Sequence, residues 1–141
     1  MTLKLLSIKS MSLTLGLAFL TLFALSQCSG IPNLSKEELA DPDALLDKGR
    51  ELFLEEEYKA AIYVFNILLK KHPKRTYHCA WAQYEIGMCY YLLKDFVKAK
   101  EAFMKVRQKY PLPRQPRILA QYLIKKIDKK DTHKRSSYID D

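Results

Sequence analysis

An all-α fold is what this sequence predicts, and three features carry the prediction. Apolar residues recur at helical spacing through most of the chain, and four glycines in 141 residues are few for a fold rich in tight β-turns. The third feature is a stretch written twice. Residues 57–73, EYKAAIYVFNILLKKHP, return as residues 95–111, DFVKAKEAFMKVRQKYP. Each opens on an acid and an aromatic, and Ala61 and Ala99, Phe65 and Phe103, Pro73 and Pro111 stand in the same places. The length is that of one domain, and 48% apolar with 28% charged residues is ordinary globular composition.

Residues 1–27 read as an export signal. Lys4 and Lys9 form a basic start, and Met11 to Leu25 is apolar but for Ser, Thr and Gly. As a helix those residues span about 22 Å, short of the ~30 Å core of a bilayer. The run ends at Leu25-Ser26-Gln27-Cys28, which resembles the lipobox of bacterial lipoproteins. That resemblance implies cleavage before Cys28 and a diacylglycerol on its thiol. The mature chain would then be anchored to a membrane rather than spanning it. Ser29, where Asp would imply retention at the inner membrane, points by the same resemblance to the periplasmic face of the outer membrane. Loss of Lys4 and Lys9 from the 24 basic residues leaves 22 against 16 acidic ones, a net charge of +6. Nucleic acid is not expected as a partner of an exported chain.

Residues 28–40 read as a lipidated tether, because Gly30, Pro32, Asn33 and Ser35 discourage regular structure. The repeat domain is expected over residues 41–130. Asp41 can cap a first helix and Pro42 suits its first turn. Leu45, Leu46, Gly49, Leu52 and Phe53 share one face of that helix. Glu55-Glu56-Glu57 marks a turn. Ala61, Ile62, Phe65, Leu68 and Leu69 repeat the spacing until Pro73 stops the second helix. The grammar then returns 38 residues on, Gly49 becoming Gly87 and Phe65 becoming Phe103. Gly and Ala at the crossing allow close approach, and Phe fills the space beside them. A fifth helix is expected to start at Pro116, burying Ile118, Leu119, Tyr122, Leu123 and Ile127. Residues 131–141 read as a disordered tail, since only Ile139 remains to be buried after the polar run.

Helix, short turn, helix, small residues at the crossing and a terminal Pro resemble the tetratricopeptide repeat. The resemblance implies about two and a half repeats, five helices in all, forming a short right-handed superhelix. The inner wall of such a stack comes from the first helix of each pair. It would carry Arg50 and Phe53 from the first, Trp81, Tyr84, Met88 and Tyr91 from the second, and Tyr122 and Lys126 from the last. Aromatic, Met-containing and basic, this groove suits a peptide with an aromatic anchor and a free carboxylate. The bland reading makes most of these aromatics core.

The basic run Lys125, Lys126, Lys129, Lys130, Lys134 and Arg135 reads as a solvated helix end, with anionic lipid or an acidic partner as the other reading. Cys79 and Cys89 would lie about 15 Å apart on one helix, beyond the ~7 Å reach of a disulfide, and are expected as buried free thiols. No metal site is expected, because His72, His78 and these cysteines match no ligand spacing. No enzyme is expected either: no nucleophile, metal cluster or glycine-rich loop accompanies the three histidines. No cofactor and no small-molecule substrate follow, beyond the lipid on Cys28.

A lipobox, a tether, Glu57-Tyr58…Ala61-Ile62…Phe65…His72-Pro73, its copy from Asp95 to Pro111, and then Ala120-Gln121-Tyr122-Leu123 together resemble the BamD family. These are lipoproteins of the outer-membrane β-barrel assembly machinery. The resemblance runs from Cys28 to about Lys126, and the family carries more repeats than are written here. It implies a membrane-anchored scaffold whose partners are the barrel component, other subunits of that complex and C-terminal segments of barrel substrates. An adaptor for another envelope complex, pilotin-like or Tol-associated, is the alternative reading.

Overall fold

A computed structural model describes residues 30–136 in backbone and residues 30–130 in side chain. Its described elements are helices alone: α1 (Lys36–Ala40), α2 (Pro42–Leu54), α3 (Tyr58–Lys71), α4 (Thr76–Leu92), α5 (Phe96–Lys109) and α6 (Arg114–Ser136). The expected export signal and Cys28 lie outside the described residues.

The two hairpins, α2–α3 and α4–α5, share the geometry of their turns down to single bonds. In the first turn Glu56 has φ 63°, and in the second Lys94 has φ 65°. The Glu57 N–H donates to Leu52 O at 2.9 Å, and the Asp95 N–H donates to Tyr90 O at 2.9 Å. Phe53 meets Tyr58 edge-on at 5.6 Å between ring centroids, and Tyr91 meets Phe96 at 5.5 Å. Every one of these pairs is separated by the same 38 residues.

The crossing of each hairpin is set by one glycine and one phenylalanine. Phe65 and Phe103 are fully buried, and each burial contributes about 2–3 kcal/mol. A Cβ on Gly49 would stand 2.3 Å from Phe65 Cε1, and one on Gly87 would stand 2.5 Å from Phe103 Cε1. Hydrogen is the only side chain that fits beneath either ring.

α4 is the hub, touching α2, α3, α5 and α6. Its burial runs around two sides: Cys79, Ala82, Ile86 and Cys89 join the first core, with Leu45, Leu46, Val64, Phe65 and Leu68. The second core is Ala99, Phe103, Val106, Ala120, Leu123, Ile124 and Ile127, with Tyr84, Met88 and Tyr91 packed against it. First helices touch along the stack, α2 on α4 and α4 on α6, while α3 and α5 each pack between the first helices that flank them.

Three expectations are corrected. Ser35, read as a tether residue, caps α1: its Oγ accepts from the Glu38 N–H at 3.1 Å, and its own N–H donates to Glu38 Oε2 at 2.8 Å. Such a reciprocal pair satisfies two orphan donors at once. Leu34 and Leu39 pack on the first core, and His72 Nε2 lies 3.0 Å from Leu39 O. The last helix starts at Arg114, not Pro116, and its buried face is Ala120, Leu123, Ile124 and Ile127. Ile118 and Tyr122 are each 63% exposed and Leu119 is 40% exposed, because the face toward α5 is rotated from the one drawn through them. Finally, α6 remains helical through Ser136. Lack of apolar residues removes a reason to pack, not a reason to be helical, and no Pro or Gly follows Pro116 to break it. Residues 137–141 lie outside the described range.

Candidate functional site

The wall of first helices carries two aromatic–cation clusters. In the first, the Arg50 guanidinium from α2 lies over the Trp81 ring of α4 at 5.7 Å. Trp81 meets Tyr84 edge-on at 5.8 Å, and Tyr84 continues inward to Phe103 at 5.7 Å. Trp81 and Tyr84 are half-buried, one turn apart on α4, with the indole packed on the first core and the phenol on the second. In the second cluster, Lys126 and Lys130 of α6 each hold Nζ 5.8 Å from the Tyr91 ring, and Lys130 lies 5.3 Å from the Phe96 ring. Such contacts contribute about 0.5–1 kcal/mol each at exposed sites.

The eight predicted residues therefore divide. Arg50 and Trp81 meet, and so do Tyr91 and Lys126, at two places along the same stack. Met88 is half-buried against the second core. Phe53 is half-buried at the end of its hairpin, against Tyr58. Tyr122 is exposed on α6.

Sequence reasoning missed Glu85, whose carboxylate lies 3.6 Å from Arg50 Nε with its side chain only 15% exposed. Burial pushes its pKa up, and the neighbouring guanidinium only partly offsets that. The signal was present: Glu85 is one turn past Trp81 in a helix with no other acid. Its consequence is electrostatic. Arg50 is already faced by a carboxylate, with Asp47 a further 4.0 Å contact on its own helix. A ligand carboxylate at Arg50 has to share the guanidinium with Glu85.

His72 and His78 hold structure together. His72 bonds to α1, and His78 Nε2 lies 2.8 Å from Asp43 Oδ1, tying α4 to the first turn of α2. Cys79 and Cys89 are free and buried, Cys79 Sγ donating to His72 O at 3.2 Å. Burial raises both thiols, Cys89 to about 12. Among the described residues no group of three or more His, Cys, Asp or Glu is placed to hold a metal ion. No helix of the described residues is long and apolar enough to cross a membrane.

No curated protein and no solved structure matches the chain. Residues 81–112 match the family model for the tetratricopeptide repeat, a window that holds α4 from Trp81 onward, the turn at Lys94 and all of α5. Since α2–α3 repeats the turn of that hairpin and its Gly–Phe crossing, the fold is one of tetratricopeptide-like helical hairpins, an architecture of protein–protein interaction scaffolds.

Proposed function

We propose that this chain is a membrane-anchored lipoprotein scaffold of the outer-membrane β-barrel assembly machinery. It holds partner proteins of that complex, and C-terminal segments of barrel substrates, on the wall of its first helices. The observation that carries the reading is the Arg50–Trp81–Tyr84 cluster, built across two repeats from the first helices, which form the wall where a stack of hairpins takes its ligands. A flat indole with a cation above it offers an aromatic side chain a stacking surface and a carboxylate a counter-charge. The Leu25–Cys28 box supports a lipid at Cys28, and Ser29 after it supports residence at the periplasmic face of the outer membrane. The scaffold performs no catalysis and needs no cofactor beyond that lipid.

Affinity isolation of the native protein from its membranes tests the assignment. Recovery of a β-barrel assembly subunit is the expected result, and it should be lost with Trp81→Ala. Secretins or pilus components in its place would move the chain to a pilotin-like role. Labelled palmitate should enter the wild type and not Cys28→Ala; label that persists in that variant would overturn the anchor.

A further inference from the structure

The 38-residue step that relates the two hairpins carries on into α6. Ala82, Ile86 and Cys89 of α4, buried on the first hairpin, correspond to Ala120, Ile124 and Ile127 of α6, buried on the second. α6 thus sits on its hairpin as α4 sits on the one before. The opposite face of α4, through Tyr84 and Gly87, is covered by α5, whose Phe103 touches both. On α6 the corresponding residues are Tyr122 and Lys125, with Ile118 one turn earlier, and all three are exposed.

We propose that this face seats a helix from a partner protein, lying antiparallel to α6 as α5 lies on α4. The partner helix is acidic in its first turns and apolar in the later ones. Charge decides the chemistry. Toward the C-terminal end of the face stand Lys125, Lys126 and Lys130, and Asp128, the one acid of α6 up to Lys130, is taken by an ion pair with Lys100. An antiparallel partner brings its N-terminus to those lysines, where carboxylates also suit its own dipole. Its later turns then cover Tyr122 and Ile118, which are apolar and exposed. The position that is Gly49 and Gly87 in the hairpins is Lys125 here, so a phenylalanine cannot seat at this crossing as Phe65 and Phe103 do. The seat is shaped for a helix but written for a different one from those of the repeat. It shares no residue with the Arg50–Trp81–Tyr84 cluster, so either can fail alone.

The test uses the full chain in mild detergent and a fluorescent peptide of about 18 residues, long enough to be helical. Its first turns carry Glu and its later turns Leu; the control peptide is the same sequence reversed. The expected result is saturable binding of the first peptide, roughly tenfold weaker binding of the reversed one, and a loss of about tenfold with Lys125→Glu or with Ile118→Asp. Lys70→Glu with Lys71→Glu, exposed on the last turn of α3, should change nothing. Circular dichroism should show every variant folded. No binding, equal binding of both peptides, or indifference to Lys125→Glu would overturn the proposal. Displacement by bicelles containing phosphatidylglycerol would overturn it in favour of a lipid surface. Sedimentation showing self-association that the peptide disperses would overturn it in favour of a second copy.

Discussion

Gly87 lies beneath the ring of Phe103 with no room for a methyl group, and Gly49 lies beneath Phe65 in the same way. Ala is the better helix former by about 1 kcal/mol, so composition alone would favour Gly87→Ala. Overpacking against a fully buried ring costs about 1–3 kcal/mol and wins. Thermal melts should show Gly87→Ala destabilised. Adding Phe103→Leu should recover part of the loss relative to Phe103→Leu alone; strict additivity would mean that the two do not share the crossing. A second prediction rests on Cys89. Its thiol is pushed up to about 12 by burial, while an unfolded chain titrates near 9. The unfolded state therefore releases its proton first as pH rises. This thiol's contribution to stability is constant below pH 9 and is lost progressively between 9 and about 12. Iodoacetamide at pH 8 should leave Cys89 unmodified in the native protein and modify it in denaturant; rapid native labelling would contradict its burial.

The elements were legible wherever period and punctuation agreed. Asp41-Pro42, Pro73 and the paired Gly and Phe positions placed α2 to α5, because each residue does a local job that reads the same in any context. The errors arose where two local signals competed. Ser35 is a turn former and also a cap, and Glu38 three residues on decides between them. On α6, Ile118, Leu119 and Tyr122 follow helical spacing as well as Leu123 and Ile127 do. Only the position of α5 selects the face that is buried, and that is a tertiary fact. Of the site, Arg50 with Trp81 and Tyr91 with Lys126 were legible as facing positions on successive first helices. Glu85 was missed although it is the one acid of α4, since a carboxylate at 15% exposure is justified by the guanidinium from another helix, and only the fold places that beside it. If α1 is a true cap to the stack, Ser35→Ala should cost about 1 kcal/mol and speed amide exchange from Lys36 to Ala40. Unchanged exchange there would show that the capping box carries no weight.

At the scale of the molecule, the second copy supplies what one hairpin lacks. A lone helical pair leaves one side of its apolar surface bare; stacking α4 on α2 and α3 covers it and makes a continuous wall of first helices. α4 serves both cores, so its outer side is the place where residues from two repeats meet, as Arg50 and Trp81 do. That wall is the central claim, and titration of the full chain with a peptide ending in an aromatic residue and a free carboxylate tests it most directly. Binding in the micromolar range, about 8 kcal/mol, is expected. Trp81→Ala and Arg50→Ala should weaken it without loss of helical dichroism. Glu85→Gln should tighten it, because the Arg50 guanidinium then loses the nearer of its two carboxylates and keeps only the exposed Asp47. Absence of binding, or binding indifferent to the terminal aromatic and to Trp81, would contradict the account.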